Sequence, residues 1–171
     1  MADDNDDENE AKLTRKAYVT PEGFTRMKEE YDQLLKVERP KVTRAVSAAA
    51  EMGDRSENAE YIYGKKRLRE IDKRIHYLSK RLQNMEIVHP QVAQKGKAAF
   101  GAWVTVEDED GEQFRYKLVG PDEVDVAQMR ISIESPVGRA LLGKKVDDDV
   151  TVNRPKGRAV FTVLKIEYEG I

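Results

Sequence analysis

The sequence predicts an α+β protein in which an N-terminal antiparallel α-helical coiled-coil hairpin precedes a small, mainly antiparallel sheet domain. Three observations indicate this class. Apolar residues recur with helical spacing through the first half of the chain, and from Val88 onward they alternate as in strands. The chain has 171 residues, which suits one domain or two small ones. Charged residues reach 36% and hydrophobic residues only 39%, a balance typical of much exposed helix.

Residues 1–12 are predicted to be a disordered acidic tail. They include six acids and one Lys but no aromatic or β-branched residue. Such a segment cannot bury enough apolar surface to offset the entropy that ordering costs.

The coiled-coil hairpin is predicted for residues 13–90. Its first arm begins at Thr20, which suits a helix N-cap, followed by Pro21 at the first helical position. Pro40 is expected to kink or restart this helix because proline lacks the backbone N–H. The second arm has an apolar seam, made of Tyr61, Leu68, Ile71, Ile75, Leu78, Leu82 and Met85. The short link at residues 53–57 makes the two arms antiparallel.

Residues 91–171 are predicted to form the sheet domain. Strand-like patterns occupy residues 100–106, 113–119, 131–133, 149–152 and 160–168. An Asp-Gly turn joins the first two of these and indicates a β-hairpin. Ser135 as N-cap, Pro136 and Gly143 indicate a short capped helix between the later strands.

Composition excludes several classes of protein. The chain has no Cys, so it has no disulfide framework, thiolate nucleophile or Cys-based zinc site. Two His provide no zinc cluster, and no Ser-His-Asp set or Gly-rich phosphate loop is evident. No apolar run approaches the roughly 20 residues that span a bilayer, and the N-terminus is not that of a secretory signal. We therefore expect a cytoplasmic protein that has no membrane partner and is not an autonomous enzyme.

Two carboxylates, Asp54 and Glu57, lie three residues apart at the predicted tip of the hairpin. Mg²⁺ prefers oxygen ligands and takes only one or two carboxylates from a protein, so a partner that supplied further ligands could share a metal ion with this pair. The same Asp-x-x-Glu spacing is also that of a capping box, in which the acids bond backbone N–H groups at a helix start. Both interpretations remain open from the residues alone.

A basic stripe follows the tip on the second arm. Between positions 64 and 82, eight bases face only Glu70 and Asp72, and these bases are Lys65, Lys66, Arg67, Arg69, Lys73, Arg74, Lys80 and Arg81. Such an excess favours contact with nucleic-acid phosphates or an acidic groove. A solvated coiled-coil face is the alternative.

These motifs resemble a known family. MGDRSENAEY at 52–61, followed by KKRLREID at 65–72, strongly resembles the GreA/GreB transcript cleavage factors of bacterial RNA polymerase, and within them the GreB branch. YVTPEG at 18–23 and ISIESP at 131–136 extend the resemblance, which runs from about Tyr18 to Tyr168. The acidic tail is additional to the usual start of the family.

The resemblance implies an FKBP-like fold for the C-terminal domain and a transcription elongation factor as the function. It implies that the hairpin enters the secondary channel of RNA polymerase while the C-terminal domain docks on the beta-prime subunit. Asp54 and Glu57 then act as catalysis-assisting acids that hold Mg²⁺ jointly with the polymerase, which itself cuts backtracked RNA and so rescues arrested complexes. No metal is expected to be bound stably by the free protein, which we expect to be a monomer.

The resemblance also assigns two surfaces. It implies that the nascent RNA 3′ end is contacted by Lys65, Lys66, Arg67, Arg69, Lys73 and Arg74. It implies that the polymerase is bound through Ser135, Pro136, Arg139, Ala140 and Leu141. Two alternatives remain: a secondary-channel regulator that does not stimulate cleavage, and a prolyl isomerase, which the FKBP-like fold alone supports poorly.

Overall fold

The computed structural model describes residues 3–53, 57–90 and 96–169. Its contacts divide the chain into two compact units, one formed by residues 1–16 and 24–85 and the other by residues 17–23 and 86–171. The short segment 17–23 thus groups with the sheet unit, although the sequence analysis places it within the hairpin domain.

The first unit is helical. The described helices of the N-terminal half are α1 (Asp3–Thr14), α2 (Pro21–Gln33), α3 (Arg39–Glu51) and α4 (Ala59–Gln83). No helix in the described ranges is both long and apolar enough to cross a membrane.

The hairpin is held together by a buried seam and by ion pairs at its flanks. Ile71 and Leu78 on α4 are buried, at 1% and 0% exposure. Arg39 pairs with Asp72 at 2.7 Å, and Arg74 pairs with Glu30 at 2.6 Å. These contacts join α4 to both halves of the first arm, which confirms the predicted antiparallel hairpin.

Pro40 coincides with an irregular turn in the first arm. A π-helical segment, Leu34–Glu38, separates α2 from α3, and the Arg39 N–H donates to the Leu34 carbonyl five residues back. Proline has no N–H to donate and its ring collides with the carbonyl four residues earlier, so the wider turn relieves the conflict. The helix is interrupted where the sequence predicts it, by a π turn.

The acidic segment at the start of the chain differs from expectation. The sequence analysis expects residues 1–12 to be disordered, whereas the structure has helix α1 from Asp3 to Thr14. Its ordering comes from contacts with α4 that local composition does not reveal: Glu10 pairs with Lys80 at 3.0 Å.

The second unit is a curled sheet of five strands with two short strands beside it. The strands are β1 (Ala17–Val19), β2 (Met85–Ile87), β3 (Trp103–Glu107), β4 (Gln113–Val119), β5 (Arg130–Ser132), β6 (Asp149–Arg154) and β7 (Gly157–Glu167). The large sheet has the order β5-β4-β3-β7-β6, and β1 pairs with β2. All pairs in the large sheet are antiparallel except β4 with β5.

The core lies on one face of this sheet. Alternation buries Val104 and Val106 on β3 at 0% exposure, and Phe161 and Val163 on β7 pack in the same cluster. A short helix, α5 (Pro136–Leu141), adds Leu141 to that cluster. The predicted α+β class is therefore confirmed.

Candidate functional site

The tip of the hairpin is closed by Asn58. Its Oδ1 accepts a hydrogen bond from the Tyr61 N–H at 3.1 Å, which makes Asn58 the N-cap of α4. Its Nδ2 donates to the Ala49 carbonyl near the end of α3 at 2.7 Å. One side chain therefore joins the end of the first arm to the start of the second.

Glu57 precedes this cap and is exposed. A capping box would make Glu57 the third residue of the helix, but α4 begins at Ala59 with Asn58 as its cap. That arrangement is therefore absent at the start of α4, and the Glu57 carboxylate is left outside the helix. Its predicted companion Asp54 lies outside the described residues.

The described residues alone do not form a metal site. Among them, no group of three or more His, Cys, Asp or Glu side chains is placed to hold an ion. An exposed carboxylate at a tip is instead a hard oxygen donor that fits a metal ion whose other ligands come from elsewhere.

The basic stripe is ordered into a line along α4. On the side opposite the buried Ile71 and Leu78, basic residues recur at steps of three and four, and we call this set the outer basic face: Lys66, Arg69, Lys73, His76 and Lys80. The first four are exposed and Lys80 is half-buried. A count of Lys and Arg along the sequence leaves out His76, although its helical spacing from Lys73 and Lys80 identifies it as part of this face.

Two of the predicted RNA-binding residues have partners within the hairpin. Both nitrogens of the Arg74 fork donate to Glu30, at 2.6 and 2.9 Å, and this carboxylate raises the pKa of Arg74. Arg67 pairs with Glu70 at 3.6 Å. Arg74 therefore joins α4 to α2 although its side chain is exposed, and Lys65, Lys66, Arg69 and Lys73 are exposed as well.

The predicted docking residues divide between surface and core. Ser135 caps α5, since its Oγ accepts from the Gly138 N–H at 3.1 Å and donates to the Ser132 carbonyl at 2.6 Å. Pro136 and Arg139 are exposed. Ala140 and Leu141 pack into the sheet core, with Leu141 fully buried. Pro136 and Arg139 are thus exposed, Ser135 and Ala140 are partly exposed, and Leu141 belongs to the core.

A groove lies beside this cap. It has a volume of about 490 Å³ and an apolar wall, and its lining includes Val124, Val126, Ser135, Pro136 and Val137. The Arg130 side chain also lines it, and its Nε is buried with no hydrogen-bond partner among the described residues. The groove therefore offers apolar area beside the exposed Pro136.

A helical hairpin with a basic outer face, followed by a small curled sheet, defines a two-unit α+β protein. Two protein-family models match the chain. The family model described as Transcription elongation factor, N-terminal, matches residues 17–87, and the family model described as Transcription elongation factor, GreA/GreB, C-term, matches residues 93–168. The chain belongs to the GreA/GreB family of transcription elongation factors.

Two individual relatives, both GreB factors, support the same assignment. Transcription elongation factor GreB of Yersinia pestis is 57% identical over 156 residues, which cover 91% of each chain. Transcription elongation factor GreB of Pseudomonas aeruginosa is 56% identical over 150 residues, covering 88% of this chain and 89% of the relative. The crystal structure of GreA factor homolog 1 (Gfh1) of Thermus thermophilus is 27% identical, covers 90% of this chain and 99% of that chain, and has a TM-score of 0.41.

Proposed function

We propose that this elongation factor stimulates the cleavage of backtracked RNA by RNA polymerase and so returns arrested complexes to synthesis. Membership in the GreA/GreB family, established over both units, is the observation that carries the proposal. The hairpin suits the task because α4, with 25 residues, is roughly 37 Å long and Glu57 directly precedes the cap at its start.

The tip carboxylates supply metal ligands in this proposal. Glu57 is exposed and precedes the helix cap, and Asp54 is the second acid of the pair. Together they would hold Mg²⁺ with ligands from the polymerase active centre. An ion held there would supply Lewis-acid chemistry, namely activation of a water molecule and stabilisation of negative charge at the phosphodiester. The tip acids orient that water, and Asn58 fixes the backbone that carries Glu57.

The two units have separate partners in this scheme. The hairpin enters the secondary channel, where exposed bases on α4 contact the RNA 3′ segment through its phosphates. The C-terminal unit docks on the beta-prime subunit through Ser135, Pro136 and Arg139, with the adjoining groove taking apolar side chains. The polymerase makes and breaks the covalent bonds, so the factor is not an enzyme by itself.

The experiment compares cleavage in backtracked polymerase complexes by the wild type, Asp54→Asn and Glu57→Gln, with polymerase affinity measured by competition. Each variant is expected to slow cleavage at least about tenfold, with affinity unchanged and partial rescue by added Mg²⁺. Glu51→Gln is the matched control, because Glu51 is an exposed acid at the end of α3 and its loss removes the same charge.

Cleavage that persists at the wild-type rate in both tip variants would contradict the proposed role of the acids. Binding to polymerase with no stimulation by the wild type itself would support the alternative, a channel regulator that does not promote cleavage.

A further inference from the structure

Helix α1 occupies part of the outer basic face of α4. Glu10 Oε1 lies 3.0 Å from Lys80 Nζ, and Glu10 Oε2 lies 3.6 Å from His76 Nε2. The hydrogen bond to Lys80 is the main cause of a lowered Glu10 pKa, with a smaller contribution from His76. The last two members of the face are therefore in contact with a carboxylate of the chain itself.

A buried arginine fixes α1 in this position. Arg81 is 5% exposed, and its Nη1 donates to the carbonyls of Lys12 and Leu13 at 3.0 Å and of Arg15 at 2.8 Å. Carbonyls at the C-terminal end of a helix lack partners within it and carry the negative end of its dipole. Arg81 thus provides a hydrogen-bond donor for the carbonyls at the end of α1 and anchors that end near the C-terminal end of α4.

The contacts of α1 with α4 also give the direction of α1 along that helix. Residues 12, 13 and 15 meet Arg81, and Glu10 meets Lys80 and His76, so α1, followed back from its C-terminal end, leads toward the hairpin tip. The backbone continues to Asp3, about 10 Å farther along. Six acids and one Lys lie in α1. The family match to the N-terminal domain begins only at residue 17.

We infer that α1 and RNA are alternative occupants of the outer basic face, so that α1 acts as an intramolecular competitor of RNA. This inference rests on the proposed contact between α4 and RNA. The Glu10 carboxylate takes the position at His76 and Lys80 that a phosphate takes when RNA binds, and the exposed remainder of the face is Lys66, Arg69 and Lys73. Solvated ion pairs are individually weak and screened by salt, so RNA can displace the acidic part of α1 from the face while Arg81 still holds the C-terminal end of the helix.

Binding of RNA to the full chain tests this competition directly. The probe is a fluorescent single-stranded RNA of roughly ten nucleotides, followed by anisotropy at low salt. Glu10→Gln is expected to tighten RNA binding about two- to fivefold, because RNA no longer has to replace one exposed ion pair. Replacing all six acids of α1 by amides is expected to tighten it further. Glu29→Gln, an exposed position on α2, is the matched control for net charge and should have a smaller effect.

A double-mutant cycle separates competition from a general change in charge. In a Lys80→Gln background, Glu10→Gln should lose much of its effect, because its main partner is absent. Amide hydrogen exchange in α1 should also accelerate when RNA is added, since a displaced helix exposes its N–H groups. Both results are needed to support competition.

Equal RNA affinity of the wild type and the six-amide variant, or α1 amides that stay protected with RNA bound, would overturn the inference. So would failure of the six-amide variant to bind RNA. The tip-acid cleavage experiment is independent of these outcomes, because it measures hydrolysis with the α1 sequence intact.

Discussion

The buried carboxylate of Glu123 accepts a hydrogen bond from the backbone N–H of Thr20 at 2.9 Å, across 103 positions of the chain. The Gly120 N–H donates to the same oxygen, Oε2, at 3.2 Å, and the Thr20 hydroxyl donates to the other oxygen, Oε1. The Thr20 hydroxyl also accepts from the Gly23 N–H at 3.1 Å, which caps α2. These bonds hold the start of α2 within the sheet unit.

Removing this carboxylate should destabilise the sheet unit. Glu123→Ala leaves the N–H groups of Thr20 and Gly120 buried without an acceptor, so the free energy of unfolding should fall by about 2–3 kcal/mol. Glu123→Gln keeps one acceptor and should cost less. Urea unfolding is followed by the fluorescence of Trp103, the single Trp of the chain, which lies on β3. Glu109→Ala, at an exposed turn, should stay within about 0.5 kcal/mol of wild type.

The Thr20 cap shows how far the sequence could predict this structure. Thr20 followed by Pro21 predicted a helix start, and the hydrogen bond from Gly23 confirms it. Glu123 as the partner of Thr20 could not be predicted, because local patterns carry no information about a residue 103 positions away. Helical and strand periods were predictable since each depends on neighbours in sequence.

The same reasoning explains the outcomes at the candidate site. The basic stripe was visible from composition, but the pairing of Arg74 with Glu30 depends on the register between two helices. The α1 helix was not predicted because its contacts, Glu10 with Lys80 and Arg81 with its last carbonyls, are tertiary and leave no trace in local composition. The roles of the tip acids stay predictions.

The sheet unit should lose stability in acid partly through Glu169. A hydrogen bond from Lys117 is the main cause of the lowered Glu169 pKa, followed by one from the Trp103 Nε1–H at 2.6 Å. A carboxylate whose pKa is lower in the folded state stabilises that state above its unfolded pKa, near 4.5, and this contribution disappears as the pH falls through the folded pKa.

Urea midpoints measured at neutral pH and below pH 4.5 check this effect. Glu169→Gln should lower the midpoint at neutral pH and reduce the drop in acid, whereas the exposed Glu109→Gln should leave both nearly unchanged. An acid-induced drop of the same size in Glu169→Gln and in the wild type would assign the pH dependence to other groups.

Two isoleucines of α4 provide a matched test of the hairpin seam. Ile71 is 1% exposed and Ile62 is 52% exposed. Ile71→Ala should lower the free energy of unfolding by about 2–4 kcal/mol, because it removes buried methyl groups and leaves a cavity. Ile62→Ala should change it by less than about 0.5 kcal/mol. The free energy of unfolding of each variant is measured from helix ellipticity during urea unfolding. Equal decreases in that free energy at the two positions would contradict the assigned seam.

Asn58 should control the order of the tip through two separable hydrogen bonds. Asn58→Ala removes both the cap of α4 and the bond to Ala49, and should cost about 1–2 kcal/mol locally. Asn58→Asp keeps an acceptor for the Tyr61 N–H but loses the donor to Ala49. Hydrogen exchange of the Tyr61 amide should therefore accelerate in the Ala variant and stay slow in the Asp variant. If both variants exchange equally fast, the bond across to Ala49, and not the helix cap, is what orders this end of the hairpin.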